Sequence, residues 1–117
     1  KRFVKKDIGT GEGASGSTVY TVPSSSSTAM ESIVIGITIA NKSTSGITCD
    51  VFLDALGGAS DDVYIVKDAS IPAGSSLEVM SGNKLVLQGD GTNNDILKMT
   101  SSTASAADGI VSVLEDV

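Results

Sequence analysis

The sequence predicts an all-β fold, a single antiparallel β-sandwich of jelly-roll type with an extended N-terminal arm. Three observations predict it. Short runs of β-branched and apolar residues alternate with polar ones, clusters of turn formers separate them at regular intervals, and no stretch carries the i, i+3, i+4, i+7 stripe of an amphipathic helix. The composition agrees: 18 Ser, 10 Thr and 13 Gly among 117 residues suit short strands joined by small-residue turns. That length fits one hydrophobic core.

Residues 1–16, KRFVKKDIGTGEGASG, open basic and end with Gly9, Gly11, Gly13 and Gly16. They lack the apolar content to fold alone and read as a flexible arm, followed by the sandwich over 17–117. The arm's function would be to dock on a neighbouring acidic subunit. Lys1, Arg2, Lys5 and Lys6 would supply the charge, with Phe3, Val4 and Ile8 as apolar anchors.

The body divides into eight expected strands, at 17–22, 31–41, 47–56, 63–68, 76–80, 84–88, 96–101 and 109–114. In the second, Ile33, Ile35, Ile37 and Ile39 fall on one face by period 2, with Val34, Gly36, Thr38 and Ala40 on the other. Turn chemistry fills the gaps: Pro23 with a serine run, Asn41 to Gly46, Gly57 to Asp62, Pro72 to Gly74, Ser81 to Asn83 and Gly89 to Asp95. Charged residues within strands (Glu31, Lys67, Glu78, Lys84, Lys98) belong on outer faces or blunt sheet edges.

The net charge is −6, and from Asp7 onward four basic residues face 14 acidic ones. So acidic a body does not suit nucleic acid. No apolar run is long enough to span a membrane, so a soluble protein or a component of an assembly is expected. Cys49 is the only cysteine, which excludes an internal disulfide and a cysteine metal cluster; it reads as a small core residue. Met30, Met80 and Met99 read as core fillers, and Tyr20 and Tyr64 as core or interface anchors.

Chemistry is sparse. The absence of histidine removes the commonest general base and transition-metal ligand. Asp61 and Asp62 are adjacent in a strand-flanking loop, where successive side chains diverge, so they read as a solvated turn. Segment 88–95, QGDGTNND, is rich in oxygen ligands but lacks the spacing and terminal Glu of a calcium loop, and the GTGEG of positions 9–13 has no flanking strand, helix or Lys-Ser/Thr for phosphate. No catalytic residue, cofactor site or metal site is assigned.

Three segments carry a resemblance. They are Thr18-Val19-Tyr20-Thr21-Val22-Pro23, then Ile33 to Ala40 ending in Asn41-Lys42-Ser43, then Ile71-Pro72-Ala73-Gly74 leading to Leu77 and Leu85-Val86-Leu87-Gln88-Gly89-Asp90. In this order they resemble small virion structural proteins of tailed bacteriophages and fibre-associated β-sandwich modules, over about residues 17–99. The last segment is one residue shorter than in that pattern. The resemblance implies a non-enzymatic component of the virion, present in many copies, with other virion proteins (the major capsid protein, or neck and tail proteins) as partners. It further implies a homo-oligomer, such as a trimer or other closed ring. Within the particle, capsid decoration suits a self-contained module with an arm; neck, tail or fibre attachment is the alternative. A carbohydrate- or receptor-binding module is the competing class, although four aromatic residues and no Trp are a thin supply for stacking on sugars.

Overall fold

The computed structural model describes residues 2–8, 17–23, 30–54, 62–80, 84–89, 93–103 and 105–115, the side chains of 2–8, 17, 30 and 62 excepted. Nine strands lie among them: β1 Arg2–Ile8, β2 Ser17–Thr21, β3 Met30–Asn41, β4 Ile47–Asp54, β5 Asp62–Ile71, β6 Ser76–Glu78, β7 Leu85–Gly89, β8 Ile96–Ser101 and β9 Ala107–Glu115. One sheet runs β1-β9-β3-β6, with β7 also on β3; the other runs β2-β8-β4-β5. All pairings are antiparallel.

The pairing is that of one long hairpin rolled up. β1 pairs with β9, β2 with β8, β3 with β6 and β7, and β4 with β5, and successive pairs alternate between the sheets. The β3–β9 and β4–β8 ladders then close the roll. This is the jelly-roll arrangement, in which two antiparallel sheets bury their facing sides. β6 and β7 together act as one interrupted strand, pairing with the two ends of β3, while the Val79 N–H donates to Ile37 O (2.9 Å) between them.

Of the stretch read as an arm, Arg2–Ile8 forms the edge strand β1, with Val4 opposite Val111 and Ile8 opposite Ala107. Residues 1 and 9–16 lie outside the described residues. The alternation of β sequence is weak in a segment this basic, which is why no strand is predicted there; β1 gains its hydrogen bonds from β9 rather than from its own pattern.

Bulges decide what enters the core. The sequence puts Ile33, Ile35, Ile37 and Ile39 on one face, and the structure corrects this. Val34 opposes Val113 and Gly36 opposes Ser112, so Ile35 is the extra residue of a bulge that shifts the phase of β3. Val34, Ile37 and Ile39 are fully buried, whereas Ile35 is 44% exposed. A second bulge lies between Thr18 and Tyr20, so that Val19 and Tyr20 are both buried. Around them Val51, Leu87, Leu97, Met99 and Val111 complete an aliphatic core.

Cys49 sits in that core as expected, 1% exposed. Burial pushes its thiol above the ordinary value, a nearby Asp50 charge adds to this, and a hydrogen bond with Ser101 partly offsets it. The thiolate is therefore disfavoured only while the chain is folded. The native protein is expected to resist a thiol reagent at pH 8 and to react fully in denaturant; rapid native labelling would show that β4 opens. Because the folded value is the raised one, this group's contribution to stability is present at neutral pH and is lost as pH rises past the ordinary thiol value.

At one end of the sandwich two turns are tied together by one side chain. Asn41, 2% exposed, donates from Nδ2 to Ser45 O (2.8 Å) and Ile71 O (3.0 Å), and its Oδ1 accepts from Ser43 N (2.9 Å) and Ser43 Oγ (2.7 Å). Its backbone N–H donates to Ser75 O (2.8 Å), and the next N–H, of Lys42, to Ala106 O (2.8 Å). Thus the Asn-Lys-Ser strand end and the Ile-Pro-Ala-Gly turn, far apart in sequence, are one structural unit. Gly74 takes φ +72° in that turn, a region glycine enters at little cost.

Candidate interaction surfaces

Two outer sheet faces carry the features that the fold itself does not consume. On the β1-β9-β3 sheet, Val86, Ile33 and Leu114 are direct cross-strand neighbours on β7, β3 and β9. Val86 is 53% exposed and Leu114 44%, and Ile35 and Ile110 add exposed aliphatic surface farther along the same face. A shallow groove here is lined by Ile33, Val86 and Leu114 with Glu31 and Glu115 at its side. Single exposed aliphatics are ordinary, but four on one sheet together with the half-buried Ile33 form an aliphatic stripe of the kind that partners cover.

The groove is anchored from behind. Tyr20, from the opposite sheet, donates its hydroxyl hydrogen to Glu115 Oε2 (2.5 Å) and accepts from Ser32 Oγ (2.8 Å), bridging β2 to β9 and β3. The two buried polar groups satisfy each other across the core.

The outer face of the β2-β8-β4-β5 sheet is polar and aromatic. Phe52 is fully buried there under neighbours rather than in the inter-sheet core, its ring 5.1 Å from that of Tyr64 and inclined by 32°. Lys67 Nζ stands 4.9 Å from the Tyr64 ring centroid and 3.6 Å from Asp50 Oδ2. Lys98, opposite Phe52, pairs with Asp54 at 3.3 Å, and Asp54 Oδ1 is buried with no hydrogen-bond partner among the described residues.

Two further carboxylates at this sheet, Asp50 and Asp95, have structural employment. Asp50 accepts from Asp68 N (2.7 Å) and Thr100 Oγ1 (3.0 Å), holding Asp68 in a left-handed conformation (φ +53°) where β5 bulges away from β4. Asp95 closes the 88–95 segment. Its Oδ2 accepts from Gln88 N (2.8 Å), and its N–H donates to Gln88 O (2.8 Å). Positions 90–92 lie outside the described residues, and among the described ones no group of three His, Cys, Asp or Glu is placed to hold a metal. Asp62 stands opposite Asp54 in the β4–β5 ladder; Asp61 and the side chain of Asp62 lie outside the described residues.

Of the residues assigned to the arm, Arg2, Phe3, Val4, Lys5, Lys6 and Ile8 all fall on β1, at the edge of the sheet whose outer face carries the aliphatic stripe. Lys1 and the arm's side chains lie outside the described residues. Sequence reasoning missed the stripe, because period 2 assigns Ile33 and Ile35 to the core and only the bulge moves them out. No family model, curated protein or solved structure matches this chain.

Proposed function

We propose that this protein is a non-enzymatic structural component of a tailed-phage virion, a decoration or cement protein of the capsid that contacts neighbouring subunits through its jelly roll and its N-terminal strand. The observation that carries this reading is the aliphatic stripe of Ile33, Ile35, Val86, Ile110 and Leu114 on a sheet face bordered by Glu31 and Glu115. A surface of that kind is an interface rather than a reaction site, since it offers apolar contact area with few polar groups converging on a point. The motif resemblance supplies the virion context, and the absence of histidine removes the commonest acid-base group for catalysis.

Attachment at the neck, tail or fibres is the alternative within the same reading. A glycan-binding role has less support: Tyr64 is the exposed aromatic of the second sheet face, and Lys67 already stands over its ring.

Cryo-electron microscopy of the native particle tests the proposal. Density for this chain on the capsid lattice is expected, with the stripe against a neighbour. Density at the neck or tail would replace cement by adaptor, and absence from the particle would overturn the virion reading. A surface variant sharpens the test. Leu114→Asp adds a charge on an exposed site, so it is expected to keep the fold with a stability change within about 1 kcal/mol while cutting particle binding at least tenfold. Undiminished binding would remove the stripe from the interface.

A further inference from the structure

We infer that β1 is an exchanged strand: in the assembled protein the Arg2–Ile8 segment of one copy completes the sheet of the next by pairing with that copy's β9. This rests on the reading of the chain as a building block used in many copies, and it names the element that links them.

Four features converge on it. First, among the described strands β1 pairs with β9 alone, and the two ladders that close the roll, β3–β9 and β4–β8, do not involve it. The remaining strands form both sheets without it, so its seat on β9 can be filled by any copy of the same sequence. Second, β1 and β2 belong to different sheets and are separated by eight positions, four of them glycine. Eight extended residues reach about 28 Å, comparable with the 28 Å intermediate dimension of the molecule. The strand can therefore arrive on an adjacent copy without disturbing its own body.

Third, the charges are complementary. Positions 1–7 hold four basic residues and one acidic, +3 in total, against −9 for positions 8–117. The sheet that receives the strand carries Glu31, Glu78, Asp108 and Glu115. An anionic seat attracts a cationic strand from any copy, so exchange between copies keeps the charge pairing that each body needs. Fourth, the receiving strand β9 carries Ile110 and Leu114 of the exposed aliphatic stripe. A donor body held beside β9 is placed to cover that stripe, so strand exchange and apolar contact reinforce each other.

Lys5 stands opposite Ile110 in the β1–β9 ladder, a separation that a disulfide can span. The decisive experiment is to produce Lys5→Cys and Ile110→Cys as separate chains, assemble them together, oxidise, and map the products by non-reducing electrophoresis and peptide mass spectrometry. Cys49 is buried and out of reach. A covalent dimer joining position 5 of one chain to position 110 of the other is expected, at least tenfold above the homodimers of either variant. The chain carrying both substitutions serves as the second measurement. It is expected to give covalent dimers or closed rings, and linkage solely within one chain would overturn the exchange, as would no linkage in either experiment. If the internally locked chain still enters particles, the virion reading stands and the exchange alone falls.

Discussion

Asn41→Ala is expected to destabilise the folded protein by about 3 kcal/mol or more, which places it among the severe single substitutions. The reason is the completeness of the amide's bonding. Both Nδ2 hydrogens and Oδ1 are engaged, and the side chain is buried, so truncation deprives the Ile71 carbonyl of its Nδ2 donor and the Ser43 N–H of its acceptor, leaving Ser45 O only the Ser43 hydroxyl. The two turns it ties would loosen together. Urea unfolding followed by circular dichroism measures the effect, and the thermal midpoint is expected to fall by roughly 10 °C or more. Asn41→Asp separates donor from acceptor: it keeps Oδ1 for Ser43 but turns a carboxylate oxygen toward two carbonyls, so it is expected to be no better than alanine. Wild-type stability in either variant would mean that the turns are held by their backbone bonds alone.

Substitutions at Tyr20 are expected to have the next largest effect. Tyr20→Phe keeps the ring in the core and removes only the hydroxyl that joins Ser32 and Glu115 across the sheets, at a cost of about 1–3 kcal/mol. Tyr20→Ala also empties the ring's volume and is expected to cost about 3–5 kcal/mol in total. The two variants together apportion the site between packing and hydrogen bonding. Because Glu115 also lines the apolar groove, Tyr20→Phe is further expected to weaken particle binding more than its stability change explains. Equal stability of wild type and Tyr20→Phe would deny the hydroxyl any bridging role.

Much of this fold is legible in the sequence because a β-sandwich writes itself in local terms. Period-2 alternation and turn residues locate eight of the nine strands, and for Ile96–Ser101 the boundaries match outright. The misses have tertiary causes. A bulge inserts one residue without changing the local composition, so Ile33 and Ile35 read as core although the phase of β3 reverses before Ile37. Strand β1 has the opposite problem: its basic sequence carries no strand signal, and a ladder with β9, about 100 residues away, determines its conformation.

The chemistry of the site follows the same division. That Asn41 ends a strand and that Pro72 and Gly74 make a turn are local facts; that Asn41 bonds the turn at Ile71 is a tertiary one. By itself the sequence determined the all-β class, the aliphatic core, the strand positions, the acidic body with its basic start, and the lack of histidine chemistry. Each depends on composition or on neighbours a few residues apart. Only the tertiary structure decided the rolled-hairpin strand order, the residues exposed on each face, the bridge from Tyr20 to Glu115, and the seat of β1. Those depend on ladders between strands distant in sequence, and one inserted residue in a ladder is enough to turn a core side chain into a contact surface.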